Sequence, residues 1–188
     1  MRLENSFEVP ASTDQAWELL IDVPRVIPCM PGAELTETVD ASNWRATMHV
    51  KLGPIALQFA TDVERTEADE QERRAVLAAK ARETKGRGAA EATITSSLEP
   101  AGSGTRVTIT TDLTLRGTVA QYGRGMVADV SNQLVKRFAD CLAAQLQDAP
   151  TGAAPTGPAP GSEPKPVGGL GLAFGALWRR IVGLLRRT

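Results

Sequence analysis

The longest two-sided helical pattern in the chain is GTVAQYGRGMVADVSNQLVKRFADCLAAQLQ, residues 117–147. At about 100° per residue, small and apolar side chains collect on one face and polar ones on the other. The apolar face comprises Ala120, Gly123, Val127, Val130, Leu134, Phe138, Cys141 and Leu142. We therefore predict one long helix over residues 117–147 that packs on a broad apolar partner.

The residues before this helix supply that partner as strands. Apolar and polar residues alternate over residues 2–9, which predicts a half-buried strand. Ser12 and Gln15 then fit a capping box at the start of a short helix, and Pro24 and Pro28 break the next segment into a turn or second short helix. Alternating segments separated by polar or Gly/Pro turns follow: 35–39, 44–52, 55–63, 77–81, 90–98 and 107–115. The order predicts an α+β domain, a curved antiparallel sheet of about seven strands that grips the long helix.

Composition and charge divide the 188-residue chain into three parts. Residues 1–147 form the predicted domain, and residues 148–168, rich in Pro, Gly and Ala, form a flexible linker. Residues 169–188 are apolar and basic, with four arginines and no acid. Because the part before the tail is mildly acidic, we expect no nucleic-acid partner.

The tail predicts an amphipathic helix that lies flat on an anionic membrane, with its arginines toward the headgroups. The alternatives are that the tail docks on a partner protein or on its own domain. The chain has no signal-like start and no uninterrupted apolar segment of spanning length, so we expect a cytoplasmic protein, peripheral on the inner face of the cell membrane. The predicted membrane-binding residues are Leu170, Phe174, Leu177, Trp178, Arg179, Arg180, Ile181, Leu185, Arg186 and Arg187.

Inward positions on the middle strands are small, among them Ala46, Ala81 and Ala90. Small residues that face each other either bring elements close together or leave a void. A void would suit an apolar ligand, and a well-packed core is the alternative. The predicted cavity residues are Met48, Phe59, Leu77, Ala79, Ile94, Ile109, Leu113, Tyr122, Met126 and Val130.

Residues for acid–base or metal chemistry are scarce on the predicted inward faces. The single histidine, His49, shares its strand face with Arg45 and Lys51, so it should face solvent. Glu83 is an isolated carboxylate near a rim, and we expect Cys29 and Cys141 to be cytosolic free thiols rather than a disulfide. We therefore predict a protein that is not an enzyme and has no metal and no covalent cofactor.

Four local strings carry a family resemblance: DVP at residues 22–24, IPCMPGAE at 27–34, VKLGPI at 50–55 and GTVAQYG at 117–123. In this order they resemble the carbon monoxide dehydrogenase CoxG family, which lies within the START-like, polyketide-cyclase (SRPBCC) superfamily. The resemblance implies a helix-grip fold. It also implies an accessory protein that brings a molybdenum-containing carbon monoxide dehydrogenase, or a related molybdenum hydroxylase, to the cytoplasmic membrane.

The residues and the resemblance together suggest a mechanism. A soluble dehydrogenase must reach a quinone that is dissolved in lipid, and a membrane-seeking tail joined to an apolar cavity would let this chain carry menaquinone or ubiquinone between them. One alternative is a recruitment adaptor without a ligand. Another is a small-molecule cyclase or dehydratase of the wider superfamily.

Overall fold

A computed structural model describes residues 1–52 and 55–148 of the chain. The predicted linker after residue 148 and the predicted tail helix lie outside the described residues. The strands are β1 (Arg2–Val9), β2 (Ala33–Thr38), β3 (Asn43–Leu52), β4 (Ile55–Asp69), β5 (Arg74–Glu83), β6 (Gly88–Ala101) and β7 (Gly104–Gly117). The helices are α1 (Thr13–Ile21), α2 (Val23–Val26) and α3 (Arg124–Asp148), with 3₁₀ turns at Ile27–Cys29 and Thr118–Gln121.

The seven strands form one antiparallel sheet in the order β1-β7-β6-β5-β4-β3-β2. Every neighbouring pair except β1–β7 is a hairpin, and β1 closes on the last strand, with Phe7 opposite Val107. Register shifts at Leu35/Glu37 in β2 and Arg65/Glu67 in β4 mark bulges, which bend and twist a strand. The α+β class and the helix-grip arrangement predicted from the sequence are confirmed.

Helix α1 begins where the sequence predicts. The hydroxyl of Ser12 accepts a hydrogen bond from the backbone N–H of Gln15, and Oε1 of Gln15 accepts one from the backbone N–H of Ser12. This capping box satisfies two N–H groups that would otherwise lack partners. The helix then buries Ala16, Trp17 and Leu19 against one end of the sheet.

The predicted start of the long helix at Gly117 is wrong. Gly117 is the last residue of β7 and has a φ of 76°, and a Cβ atom there would lie 2.8 Å from the Cα of Gly88. The 3₁₀ turn that follows buries Val119 and leaves Ala120 exposed, contrary to the helical wheel. Tyr122 is extended after this turn, and α3 begins only at Arg124.

The expectation of two free thiols is also wrong, because Cys29 and Cys141 form a disulfide. The fold packs the 3₁₀ turn Ile27–Cys29 against the second half of α3, which places the two Cα atoms 5.3 Å apart. That separation lies within the usual range for a disulfide. The side-chain amide of Gln145 also donates a hydrogen bond to Sγ of Cys29, at 3.1 Å.

The buried apolar residues form two clusters rather than one. The larger cluster joins α1, the turn at Cys29, the second half of α3 and strands β1, β6 and β7. Its members include Trp17, Val107, Phe138 and Leu142. The smaller cluster has Leu57, Phe59 and Val119 at its centre and lies beside the start of α3.

Candidate ligand-binding site

A row of inward-facing residues crosses the sheet between these two clusters. The strand register places Val63, Ala79, Ala92 and Leu113 side by side on β4, β5, β6 and β7, and we call these four residues the central row. All four are only half-buried, and none belongs to either cluster. The middle of the concave face is therefore only partly covered.

The position of α3 explains why the side chains of the central row are only half-buried. The helix lies against β1 and the turn at Cys29, whereas its backbone comes near the middle strands at few points. Phe138 contacts Phe7 edge to face with ring centroids 6.2 Å apart, and Asn5 donates a hydrogen bond to Asn132 at 2.7 Å. The helix is thus held along one edge of the sheet, next to β1.

The structure distributes the predicted cavity residues over three regions. Phe59 is buried in the smaller cluster, with Met48, Tyr122 and Val130 half-buried beside it. Leu77, Ala79 and Leu113 lie half-buried between the clusters. Ile109 belongs to the larger cluster and Ile94 packs against it, whereas Met126 is 42% exposed on the first turn of α3.

Thr61 is the polar side chain that stands out on this concave face. It lies between Ala46 and Ala81 in neighbouring strands, one row from the central row. Its Oγ1 is buried and has no hydrogen-bond partner within the described residues. A buried hydroxyl without a partner costs about 1–3 kcal/mol, so a ligand with a carbonyl oxygen would recover a bond here. The sequence identifies Thr61 only as a small inward residue, and nothing in the alternation shows that its hydroxyl is unpaired.

Glu83 is the buried carboxylate near this site, and its bonds give it a structural role. Its carboxylate accepts hydrogen bonds from the backbone N–H groups of Lys85 and Arg87, at 2.9 and 3.0 Å, and from Nη2 of Arg87 at 3.0 Å. Nη2 of Arg87 also donates to the carbonyl of Ala56 at 2.9 Å, so the β5–β6 turn is fastened to β4.

Burial by itself raises the pKa of the Glu83 carboxyl, but the bonds from Arg87 and Lys85 outweigh it and hold that pKa below its ordinary value. An ionised carboxylate in a fixed ion pair is a poor proton donor.

Other features of the described residues bear on the chemistry. His49 is exposed on the outer face of β3. Between residues 1 and 148, apart from 53 and 54, no three His, Cys, Asp or Glu side chains come together as metal ligands. Within the same part of the chain, no helix has the length and apolarity needed to cross a membrane.

A separate groove of about 340 Å³ lies outside, between β1 and α3. Phe7 and Val135 line it together with charged residues such as Lys136 and Asp140. It contains none of the predicted cavity residues, so it is a different surface.

Solved structures with the same fold are numerous. A conserved protein from Geobacillus kaustophilus aligns with a TM-score of 0.69 at 19% identity, over 78% of this chain and 95% of that chain. The Zhui aromatase/cyclase from Streptomyces sp. R1128 aligns at 0.55 and 15% identity, over 78% and 93%. A START superfamily protein from Mycobacterium smegmatis aligns at 0.51 and 16% identity, over 78% and 97%. At these identities the likeness defines the class, a START-like helix-grip domain, and nothing finer.

The family follows from the sequence itself. Residues 6–147 match the family model for CoxG, described as a carbon monoxide dehydrogenase subunit, and the chain belongs to that family. No curated protein matches the chain.

Proposed function

We propose that this chain is an accessory protein of a molybdenum-containing carbon monoxide dehydrogenase, or of a related molybdenum hydroxylase, and that it carries a respiratory quinone. The quinone, menaquinone or ubiquinone, occupies the space between the central row and α3. The tail over residues 169–188 tethers the chain to the membrane from which the quinone is taken. Family membership supports the choice of partner enzyme.

The observation that carries the proposal is that the half-buried apolar side chains of the central row lie beside the buried hydroxyl of Thr61, which has no hydrogen-bond partner within the described residues. The half-buried alanines of that row, Ala79 and Ala92, offer an apolar surface for a quinone ring or its isoprenoid chain. The buried Oγ1 of Thr61 can donate to a quinone carbonyl. A quinone needs an apolar contact surface and one or two donors, and the alanines of the central row and the hydroxyl of Thr61 support such a site. A threonine hydroxyl can hold the carbonyl by a hydrogen bond without giving up its proton, which suits a carrier.

Lipid extraction and mass spectrometry of the protein purified from its native membranes test the cargo. We expect a stoichiometric quinone, and we expect it to be displaced when Ala92→Phe fills the central row. The matched control is Ala78→Phe, because Ala78 lies on the outer face of β5 and faces away from α3. A protein without quinone that still recruits the dehydrogenase to membranes would favour the adaptor and contradict carriage.

Truncation tests the tether. A chain that ends at residue 168 should lose its binding to anionic vesicles while it keeps its fold and its quinone. Unchanged vesicle binding would contradict the role proposed for residues 169–188.

A further inference from the structure

One end of the domain combines exposed apolar side chains with an excess of positive charge. Five described elements meet there: the end of β3, the start of β4, the β5–β6 turn, the end of β7 and the start of α3. Hydrogen bonds join them, because Arg87 donates to the carbonyl of Ala56 while its own carbonyl accepts from the N–H of Val119. The elements therefore form one continuous surface.

The apolar part of this surface is incompletely buried. Leu57, Phe59 and Val119 are buried, but Val50 and Ile55, which pack against them, remain half-exposed. Met126 is 42% exposed on the first turn of α3. The larger cluster lies at the opposite end of the concave face.

The charge on this surface is opposite in sign to that of the rest of the domain. Residues 48–60, 81–91 and 113–130 contain six basic and three acidic residues, a net charge of +3, whereas the remainder of residues 1–147 carries −7. Two of the three acids are already paired, Glu83 with Arg87 and Glu91 with Arg116. The exposed cations Lys51, Lys85 and Arg124 form no ion pair within the described part of the chain.

We propose that this end of the domain docks on an anionic lipid surface. The docking surface, which we call the mouth face, consists of Lys51, Ile55, Lys85, Arg124 and Met126. Anionic headgroups attract the cations, while the adjoining apolar side chains enter the boundary of the acyl chains. The negative remainder of the domain is repelled from the same bilayer, so the domain is oriented as well as attracted. Docking would place the end of the concave face that holds the smaller cluster against the lipid.

This inference rests on the proposed function in one respect, that the tail brings the domain to the bilayer. A tether at residues 169–188 does not by itself specify which side of the domain meets the bilayer. The mouth face adds a fixed orientation. The two claims therefore separate experimentally, because the tail determines whether the chain binds and the mouth face determines which side meets the membrane.

Site-specific labelling of the full chain tests the orientation. The native cysteines are joined in the disulfide, so a single cysteine introduced by Met126→Cys or by Gln71→Cys can carry an environment-sensitive fluorophore. Gln71 is exposed in the β4–β5 turn, at the other end of the sheet. With vesicles of phosphatidylglycerol and phosphatidylcholine, the label at position 126 should shift to the blue and the label at 71 should not. With phosphatidylcholine alone, neither should shift.

Charge reversal supplies the second measurement. The triple change Lys51→Glu, Lys85→Glu and Arg124→Glu should abolish the shift at position 126 while the chain still sediments with anionic vesicles through its tail. The matched control reverses three other exposed cations, Lys80, Lys136 and Arg137, and should keep the shift.

The inference is overturned by the absence of a shift at position 126 on vesicle-bound chain, by a shift that survives the mouth-face reversal, or by a shift that needs an acidic protein instead of lipid. A chain that sediments with neither vesicle overturns it as well. If tail changes such as Trp178→Glu leave sedimentation with anionic vesicles intact and the mouth-face reversal abolishes that sedimentation, the proposed tether is contradicted. The proposed docking of the mouth face is then supported.

Discussion

The disulfide between Cys29 and Cys141 should be among the larger single contributions to stability in this domain. The perturbation is reduction of the purified protein, which changes no residue and leaves every other contact available. The bond joins residues 112 positions apart in the sequence. Reduction therefore releases a very long closed loop in the unfolded chain.

The loop length sets the expected magnitude. In the chain-entropy account, a cross-link that closes a loop of about 100 residues stabilises the native state by about 4.7 kcal/mol, and removal of native disulfides typically costs about 2–5 kcal/mol. We expect a loss near the upper part of that range, because Phe138 and Leu142 stay packed in the larger cluster and hold α3 in place after reduction. For a chain of this size, a loss of about 4 kcal/mol lowers Tm by roughly 8–16 °C.

Urea unfolding of oxidised and reduced protein measures this difference. Trp17 and Trp44 are both 3% exposed, so their fluorescence reports on the core near α1 and on β3. The matched control is the double variant Cys29→Ser with Cys141→Ser, whose midpoint should match that of the reduced protein and should not respond to reductant.

Two results would refute the reasoning. Two titratable thiols in the untreated protein would show that the bond is absent. An intact bond whose reduction shifts the free energy of unfolding by less than about 1 kcal/mol would show that the long loop does not govern its effect.

Three other changes test the core, the turn and the site. Leu142→Ala should cost about 2–5 kcal/mol in urea unfolding, because Leu142 is 1% exposed. The lowered pKa of Glu83 stabilises the fold above the ordinary carboxyl pKa of 4.5, and that stabilisation is lost as the pH falls through the lowered value, so Glu83→Gln should flatten the acid limb of a stability–pH curve. Thr61→Val should weaken quinone binding by up to about tenfold in a titration without lowering Tm, since it removes a buried hydroxyl that has no protein partner.

Element order was predictable because strand alternation and turn residues are local signals. The capping box at Ser12 can be recognised from two residues three positions apart. The inward-facing residues of each strand can be recognised from the alternation of apolar and polar residues. The start of α3 was not predictable in this way, because a helical wheel counts Ala120 and Gly123 as members of an apolar face. Burial of Val119 beside Leu57 and Phe59, far away in sequence, decides the local conformation.

The candidate site depended still more on long-range geometry. Parity places Ile109 and Leu113 on the same inward face, but only the packing shows that Ile109 lies in the larger cluster while Leu113 lies between the clusters. The central row exists because four strands share one register, which no single strand reveals. Likewise the disulfide needs the turn at Cys29 to meet α3, and the separation of the cysteines in sequence hides this.

The partnership of β1 with β7 has a consequence for biosynthesis. Arg2 pairs with Asp112, and the amino group of Met1 donates to the carbonyl of Leu113, so β1 cannot pair until β7 has been synthesised. At about 5–20 residues per second, that delay lasts roughly 5–20 seconds. Throughout it, Phe7 lacks the partner that will cover it, and the nascent sheet keeps an unpaired border. The interval between the synthesis of β1 and that of β7 is therefore the period in which chaperone binding would protect this domain most.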